Sequence, residues 1–115
     1  MEEITHDDYS VTYDPETATI TCAGSFRLRG NDEYAPILQL MNQAADAKPE
    51  TITLDVRELR FLNSSGINTL SKFVIYVRNH KASQIVILGN SQSPWQQKSL
   101  KNFERLLPGL QLEIE

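Results

Sequence analysis

The segment Leu62-Asn63-Ser64-Ser65-Gly66-Ile67 brings two hydroxyls and an amide together where a loop is expected to become a helix. Asn63 or Ser64 can cap that helix by accepting a hydrogen bond from a backbone N–H two or three residues further on. A glycine there removes a side chain where another surface would approach the backbone. Because a helix N-terminus favours negative charge, the fold would also tolerate a phosphate on a serine. The segment therefore predicts either simple helix capping or phosphoryl acceptance.

Motifs for other chemistry are absent from the sequence. There is no G-x-S-x-G elbow, no G-x-x-x-x-G-K-[ST] phosphate loop, no H-E-x-x-H and no C-x-x-C. His6 lies in a polar tail, and His80 lies at an expected helix end, where it suits the helix dipole. Neither histidine has a spacing that pairs it with a nucleophile. We therefore predict a protein that is not an enzyme and that carries no catalytic residue.

Cysteine and histidine usage also gives no reason to expect a metal or a cofactor. Cys22 is the single cysteine, so an internal disulfide is impossible and a reducing cytoplasm is the expected location. One cysteine and two distant histidines cannot fill the four positions of a structural zinc site. We expect Cys22 to act as a small buried apolar residue.

Composition limits the classes of partner. The chain has 115 residues and a formal charge of −4, which predicts one domain over residues 1–115. The acidic balance argues against a nucleic-acid partner. Apolar runs such as Ile85 to Leu88 are far too short to span a membrane, and the acidic N-terminus does not resemble a signal peptide.

Hydrophobic periodicity predicts how the Asn63 segment is positioned. Two β-rich stretches, Tyr9 to Tyr13 and Ala18 to Gly24, surround an Asp-Pro turn and predict a hairpin. Further strands are expected over 51–56, 84–88 and 110–114. Helices are expected to begin near Asn31 or Asp32, at Ser64, and at Pro94 after the cap residue Ser93. Residues 57–63 are expected to form a loop.

The predicted order is β-β-α-β-α-β-α-β. Strands connected through helices favour right-handed parallel crossovers. We therefore predict an α/β fold with a mostly parallel, four-stranded central sheet, helices packed against it, and the N-terminal hairpin antiparallel at one edge.

The stretch from Leu54 to Ile67, with Leu70 beyond it, resembles the signature of STAS domains, the fold of bacterial anti-sigma factor antagonists and of sulphate-transporter C-terminal domains. The usual pattern is apolar-Asp-apolar, a short loop, and then Asp-Ser-Ser-Gly or Asp-Ser-Thr-Gly at the start of an amphipathic helix. The spacing from Asp55 to Ser64 agrees without a gap. The whole sequence is also similar to a small group of single-domain STAS-like regulators known mainly from cyanobacteria.

The resemblance implies a phosphorylation-controlled regulator of the anti-sigma factor antagonist type. Its expected partners are a serine kinase that doubles as an anti-sigma factor and a serine phosphatase. By the resemblance, Ser64 is the phosphorylated serine, and the partner-binding residues are Asp55, Asn63, Ser64, Ser65 and Gly66. The alternative is a STAS-like scaffold that binds constitutively and is never phosphorylated.

Two residues depart from the usual STAS pattern. Asn63 replaces the usual Asp, and Arg57 stands where a small hydroxyl residue is common, which adds a cation within reach of the loop.

Two further features leave alternatives open. Trp95 belongs either to the core or to a partner-binding hot spot. The last helix carries Lys98, Lys101 and Arg105 on one face, which is either a solvated surface or a contact for an acidic partner.

Overall fold

An antiparallel ribbon is followed by strictly alternating helices and strands in the computed structural model, which describes residues 2–81 and 83–115 apart from the Gln97 side chain. The elements are β1 (Glu2–Thr5), β2 (Tyr9–Asp14), β3 (Thr19–Phe26), α1 (Gly30–Asp46), β4 (Thr51–Leu62), α2 (Ser64–His80), β5 (Gln84–Gly89), α3 (Pro94–Leu106) and β6 (Gln111–Ile114). The helices predicted near Asp32, at Ser64 and at Pro94 are therefore all present.

The strands form a six-stranded sheet in the order β1-β2-β3-β4-β5-β6. β1, β2 and β3 pair antiparallel, whereas β3 through β6 pair parallel. This arrangement confirms the predicted α/β class, the four parallel strands and the antiparallel hairpin at one edge.

The helices form one layer, in which α1 packs against α2 and α2 against α3. Each parallel strand lies next to the strand before it, so right-handed crossovers place all three helices on the same face of the sheet. Apolar side chains on that face are buried against the helices, which is the main favourable term in folding. This core includes Ile20, Cys22, Ile52, Leu54, Val56, Ile85 and Ile87 from the sheet and Ile37, Met41, Leu70, Phe73, Leu100 and Phe103 from the helices.

The opposite face of the sheet is polar and only half-buried. Thr12, Thr21 and Asp55 lie side by side across β2, β3 and β4, and Leu88 continues that row on β5. The alternation of buried and half-buried residues along β2, β3 and β5 is the period of two that a sheet covered on one face requires.

The first strand and the helix boundaries differ in detail from the sequence prediction. β1 extends the hairpin to a three-stranded ribbon, although Glu2–Thr5 is too polar to be recognised as a strand. The first helix begins at Gly30, so the expected caps Asn31 and Asp32 already lie inside it. Its cap position is Arg29, whose backbone N–H donates to the Glu33 carboxylate at 3.0 Å. At α3, Ser93 occupies the predicted cap position without a side-chain cap bond.

The largest correction concerns β4. Residues 57–62, expected to form a loop, continue the strand to Leu62. Two irregularities let the strand follow β3. Between the pairs Thr21–Asp55 and Ala23–Glu58, β4 has two residues where β3 has one, and β4 then has an extra residue before the pair Ser25–Phe61. Extra residues of this kind bend a strand and increase its twist. β4 therefore ends at Leu62, and only Asn63 separates it from the start of α2 at Ser64.

Within the part of the chain that the structure describes, no helix has both the length and the apolar character needed to cross a membrane.

Candidate functional site

The segment Asn63 to Gly66 lies at the carboxyl end of β4, where the strand passes into α2. Asn63 has an extended backbone and caps the helix, because its Oδ1 accepts from the Gly66 N–H at 2.9 Å. Of the two caps that the sequence allowed, Asn63 is the one used. Ser64 is the first helical residue, so its hydroxyl is not needed for capping.

Asn63 also joins α2 to two other parts of the chain. Its Nδ2 donates to the Leu28 carbonyl at 2.7 Å, and its Oδ1 accepts from the Tyr34 hydroxyl at 2.7 Å. The Asn63 backbone N–H donates to the Phe26 carbonyl at 3.2 Å. One amide thus joins the start of α2 both to the connection between β3 and α1, through Leu28, and to α1 itself, through Tyr34.

This network explains why Asn63 stands where the resembling family has Asp. An ionised carboxylate has no donor, so it would oppose the Leu28 carbonyl with a second oxygen. Tyr34 is a suitable partner for the other end of the amide, because its hydroxyl is a donor at neutral pH; burial raises the pKa of that hydroxyl further, to about 12.

The two serines differ in exposure. Ser64 is exposed, whereas Ser65 is half-buried. The Ser65 carbonyl accepts from the Thr69 hydroxyl at 3.0 Å, one turn further along α2. A phosphate on Ser64 would lie at the positive end of the helix dipole and would not need to enter the protein.

Gly66 is buried, and the surface that approaches it is internal. A Cβ at Gly66 would collide with the Leu62 side chain and would lie 2.8 Å from the Tyr34 hydroxyl oxygen. The absence of a side chain therefore lets α2 begin close against β4 and α1. Gly66 therefore contributes to the packing under the site and is not part of its exposed surface.

Asp55 lies apart from the other four predicted site residues. It is in the first half of β4, on the order of 20 Å from the end of the strand at ~3.3 Å per residue. Its carboxylate is held by Arg57, with Oδ1 3.0 Å from Nε and Oδ2 2.8 Å from Nη2. Burial acts to raise the pKa of Asp55, but the Arg57 bonds and charge outweigh it and lower the pKa.

Arg57 is consequently directed away from the serines. It pairs with Asp55 and reaches Glu115, whose Oε1 lies 3.5 Å from its Nη1. The structure brings together Asn63, Ser64, Ser65 and Gly66 at the start of α2, and leaves Asp55 and Arg57 on the half-buried face of the sheet.

Side chains from the start of α3 hold the segment that leads to the site. Gln96 is fully buried; its Nε2 donates to the carbonyls of Val56 and Leu59 at 2.8 and 3.2 Å. Its Oε1 accepts from the Asn90 N–H at 2.6 Å. The indole N–H of Trp95 donates to the same Leu59 carbonyl at 2.8 Å. Trp95 is therefore a half-buried structural residue that borders the core.

Sequence reasoning missed Tyr34 and Gln96. Tyr34 precedes Ile37 by three residues, so the helical period could have identified it as buried. No local pattern marks Gln96, because the β4 carbonyls that it holds, those of Leu59 and Val56, lie 37 and 40 residues away along the chain.

Other reactive side chains are occupied in structural roles. Cys22 is fully buried, and burial, with a smaller contribution from Asp55, raises the pKa of its thiol to about 12. His80 packs against the Tyr76 ring, and its Nδ1 lies 2.8 Å from the Tyr76 carbonyl. Over residues 2–81 and 83–115, no group of three or more His, Cys, Asp or Glu could hold a metal ion.

Comparison with known proteins gives a result at the level of structure only. No protein-family profile matches the sequence, and no curated protein matches it significantly.

Several solved structures share its architecture, among them the following three. SiaC of Pseudomonas aeruginosa is 12% identical with a TM-score of 0.69, over 100% of this chain and 98% of that one. A chain from the complex of the diguanylate cyclase SiaD with its activator SiaC, from the same organism, gives 12% and 0.72 over 100% of both. An anti-sigma factor antagonist from Mycobacterium paratuberculosis gives 17% and 0.58, over 96% of this chain and 82% of that one. With the strand order, the parallel core and the helix that begins at Ser64, these similarities show that the chain has a STAS-like fold.

Proposed function

We propose that this protein is a non-enzymatic regulator that binds a partner protein and is switched by reversible phosphorylation of Ser64. The observation that carries the proposal is the position of Ser64, which is exposed at the first position of α2 while Asn63 alone supplies the cap. Its hydroxyl can therefore accept a phosphoryl group without the loss of a capping bond. The phosphate would bring about −1.5 to −2 charges to the surface at pH 7.

Similar proteins support partner binding as the mode of action. SiaC is described as the activator of a diguanylate cyclase, and the mycobacterial protein as an anti-sigma factor antagonist. Both descriptions concern proteins that act on another protein. For this chain we propose a serine kinase with anti-sigma factor activity as the binding partner, a serine phosphatase as the enzyme that resets it, and the cytoplasm as the location.

The competing proposal is a constitutive scaffold with the same fold. It is favoured by Asn63, because the amide is committed to internal contacts and gives a kinase no acidic side chain beside the serine. The two proposals differ in a single property, which is whether affinity for the partner depends on the charge at residue 64.

Ser64→Asp and Ser64→Ala test this dependence. Both variants should melt within a few degrees of the wild type, because Asn63 keeps the cap and the dipole favours the added charge. Intact-protein mass spectrometry of material from its own cells should show the phosphorylated species. Calorimetric titration against a co-purifying partner should show weaker binding of Ser64→Asp, by a few kcal/mol at most, and unchanged binding of Ser64→Ala.

Asn102→Asp, on the exposed part of α3, is the matched control for a single added charge. It should leave the affinity unchanged. Equal affinities of wild type, Ser64→Asp and Ser64→Ala would reject the switch and leave the scaffold.

A further inference from the structure

Next to the start of α2 lies a patch of positive charge on an otherwise acidic chain. The segments 25–29 and 59–66 read SFRLR and LRFLNSSG, which contain Arg27, Arg29 and Arg60 and no acidic residue. The two segments are neighbours in space, because β3 and β4 pair up to Phe26 and Leu62. The fold therefore gathers three of its cations at one end of the parallel sheet.

The three arginines form no ion pair with an acidic residue in the described part of the chain. Among the described residues, Arg57 is the only cation that has a carboxylate within 4.0 Å. The three arginines of the patch are exposed. Acidic residues border the patch. Glu33 receives the Arg29 backbone N–H, Glu58 directly precedes the second segment, and Arg60 lines a shallow depression together with Asp7 and Asp8.

An exposed aromatic ring lies within the patch. Phe61 is 41% exposed, and among the described residues only Ile114 is a comparably exposed large apolar side chain. The Arg27 guanidinium carbon lies 4.8 Å from the centre of the Phe61 ring, within the range of a cation–π contact. A stacked guanidinium keeps the N–H groups around its edge free, and these match a carboxylate in a bidentate pair.

We propose that Arg27, Arg29, Arg60 and Phe61, hereafter the basic-aromatic patch, form the docking surface for an acidic, aromatic-containing segment of the partner protein. Carboxylates of that segment pair with the arginines, and its apolar side chain packs on Phe61. Arginine and aromatic residues are the types most enriched where binding energy concentrates. A protein segment fits better than a nucleic acid, because three cations on a chain of net charge −4 offer a phosphate backbone too few contacts.

The position of the patch also accounts for how a phosphate would act, and this step rests on the proposed function. The Leu28 carbonyl, between Arg27 and Arg29 in sequence, accepts from the Asn63 amide at 2.7 Å, and Ser64 is the next residue. A phosphate on Ser64 would therefore lie beside the arginines. It would repel the carboxylates of the partner segment and compete with them for the guanidinium groups.

A defined peptide and two charge-matched variants test the docking surface. The probe is a fluorescein-labelled peptide of glutamate and aspartate around one tryptophan, titrated at low salt with fluorescence anisotropy as the readout. The patch variant is Arg27→Ala/Arg29→Ala/Arg60→Ala. The control is Lys98→Ala/Lys101→Ala/Arg105→Ala on α3, which removes the same number of positive charges from exposed positions. Circular dichroism verifies the fold of both.

We expect the patch variant to bind the peptide at least about tenfold more weakly than the wild type, and the α3 variant to bind within about twofold. Phe61→Ala should lose about threefold, and the wild type should not bind the same peptide with glutamine and asparagine in place of its acids. Equal losses in the two triple variants, a larger loss in the α3 variant, or no binding by the wild type would overturn the proposal. Tighter binding of a labelled single-stranded oligonucleotide than of the peptide would overturn the protein segment as occupant.

The failure of this inference can be told apart from the failure of the switch. If the patch variant keeps the wild-type affinity for the co-purifying partner while Ser64→Asp loses it, the docking surface is wrong and the switch stands. If the patch variant loses peptide binding while protein carrying phosphoserine at position 64 keeps it, the docking surface stands and the switch is wrong.

Discussion

The two halves of β4 are held in different ways. The first half, residues 51–56, pairs with β3 on one side and, as far as Asp55, with β5 on the other. The second half, residues 57–62, pairs with β3 alone, because β5 has already ended. Its other edge is satisfied by side chains. The carbonyls of Arg57 and Leu59, and that of Val56 at the junction of the two halves, accept from Asn90, Trp95 and Gln96.

This difference has a functional consequence, since the second half of β4 ends at Asn63 and Ser64. The first half is set by ladder bonds and by the core, as in any parallel sheet. The position of the candidate site depends in addition on a few side chains from the start of α3. A change at α3 can therefore shift the site while the sheet remains intact.

The largest expected effect belongs to the first half. Leu54 is fully buried, so Leu54→Ala should lower the free energy of unfolding by about 2–5 kcal/mol through lost burial and a residual cavity. Urea denaturation followed by circular dichroism measures this loss. Thr51→Ala, at the exposed start of the same strand, should stay within about 0.5 kcal/mol of the wild type. A loss below about 1 kcal/mol at Leu54 would show that this half is not anchored by its core.

Gln96→Leu tests how the second half is held. The variant keeps an apolar stem but leaves the Asn90 N–H and the Val56 carbonyl without their partner. Unsatisfied buried groups cost ~1–3 kcal/mol each, of which the added apolar burial offsets a part. We expect a net loss of about 2–3 kcal/mol in urea denaturation, with little change for Gln111→Leu on the exposed edge strand β6.

Amide hydrogen exchange on Gln96→Leu sharpens the same comparison. Protection should fall from Leu59 to Asn63 and persist from Ile52 to Leu54, because the contacts that β4 loses begin at Val56. Equal loss of protection in both halves would mean that β4 opens as a single unit.

The same contrast explains what the sequence could predict. In the first half, Ile52, Leu54 and Val56 alternate with polar residues, so the period of two identifies a strand. The second half reads Arg-Glu-Leu-Arg-Phe-Leu, in which buried Leu59 and Leu62 are three residues apart because the strand is irregular between them. A period of two fails there, and the segment was predicted to be a loop.

At the start of the site, too, the sequence predicts some of the contacts and not others. The capping role of Asn63 follows from residue type and position, and the sequence predicted a cap at Asn63 or Ser64. The bonds from Asn63 to Tyr34 and Leu28 join residues 29 and 35 positions apart, which no local pattern encodes. The largely exposed β1 was missed for a related reason, since its pairing with β2 rather than its composition makes it a strand.

Asn63→Asp tests whether the hydrogen bond from the Asn63 side-chain amide to the Leu28 carbonyl holds the end of β4 in place. The variant removes the donor to Leu28 and places a carboxylate oxygen against that carbonyl, at a cost of about 1–3 kcal/mol. The charge gains ~0.3–1 kcal/mol from the helix dipole. Thermal and urea denaturation should therefore show a net loss of about 1–2 kcal/mol. Asn68→Asp, exposed on the same helix, should be nearly neutral, and full stability of Asn63→Asp would refute the fastening role.

The smallest effect concerns Asp55 and Arg57, which lie next to the junction of the two halves. Arg57 lowers the pKa of Asp55 in the folded protein, so the ionised carboxylate stabilises the fold above its unfolded pKa, and this contribution is lost as the pH falls through the folded value. Because the arginine is 40% exposed, solvent screens the pair and the contribution is small.

Asp55→Asn should lower the melting temperature by about 2 °C or less at pH 7. The difference from the wild type should shrink below about pH 4, where the carboxyl group of the unfolded chain takes up a proton. Melting curves recorded between neutral and acidic pH measure it. A difference that grew on acidification would mean that Asp55 is stabilised in its protonated form, and that Arg57 does not hold this part of β4.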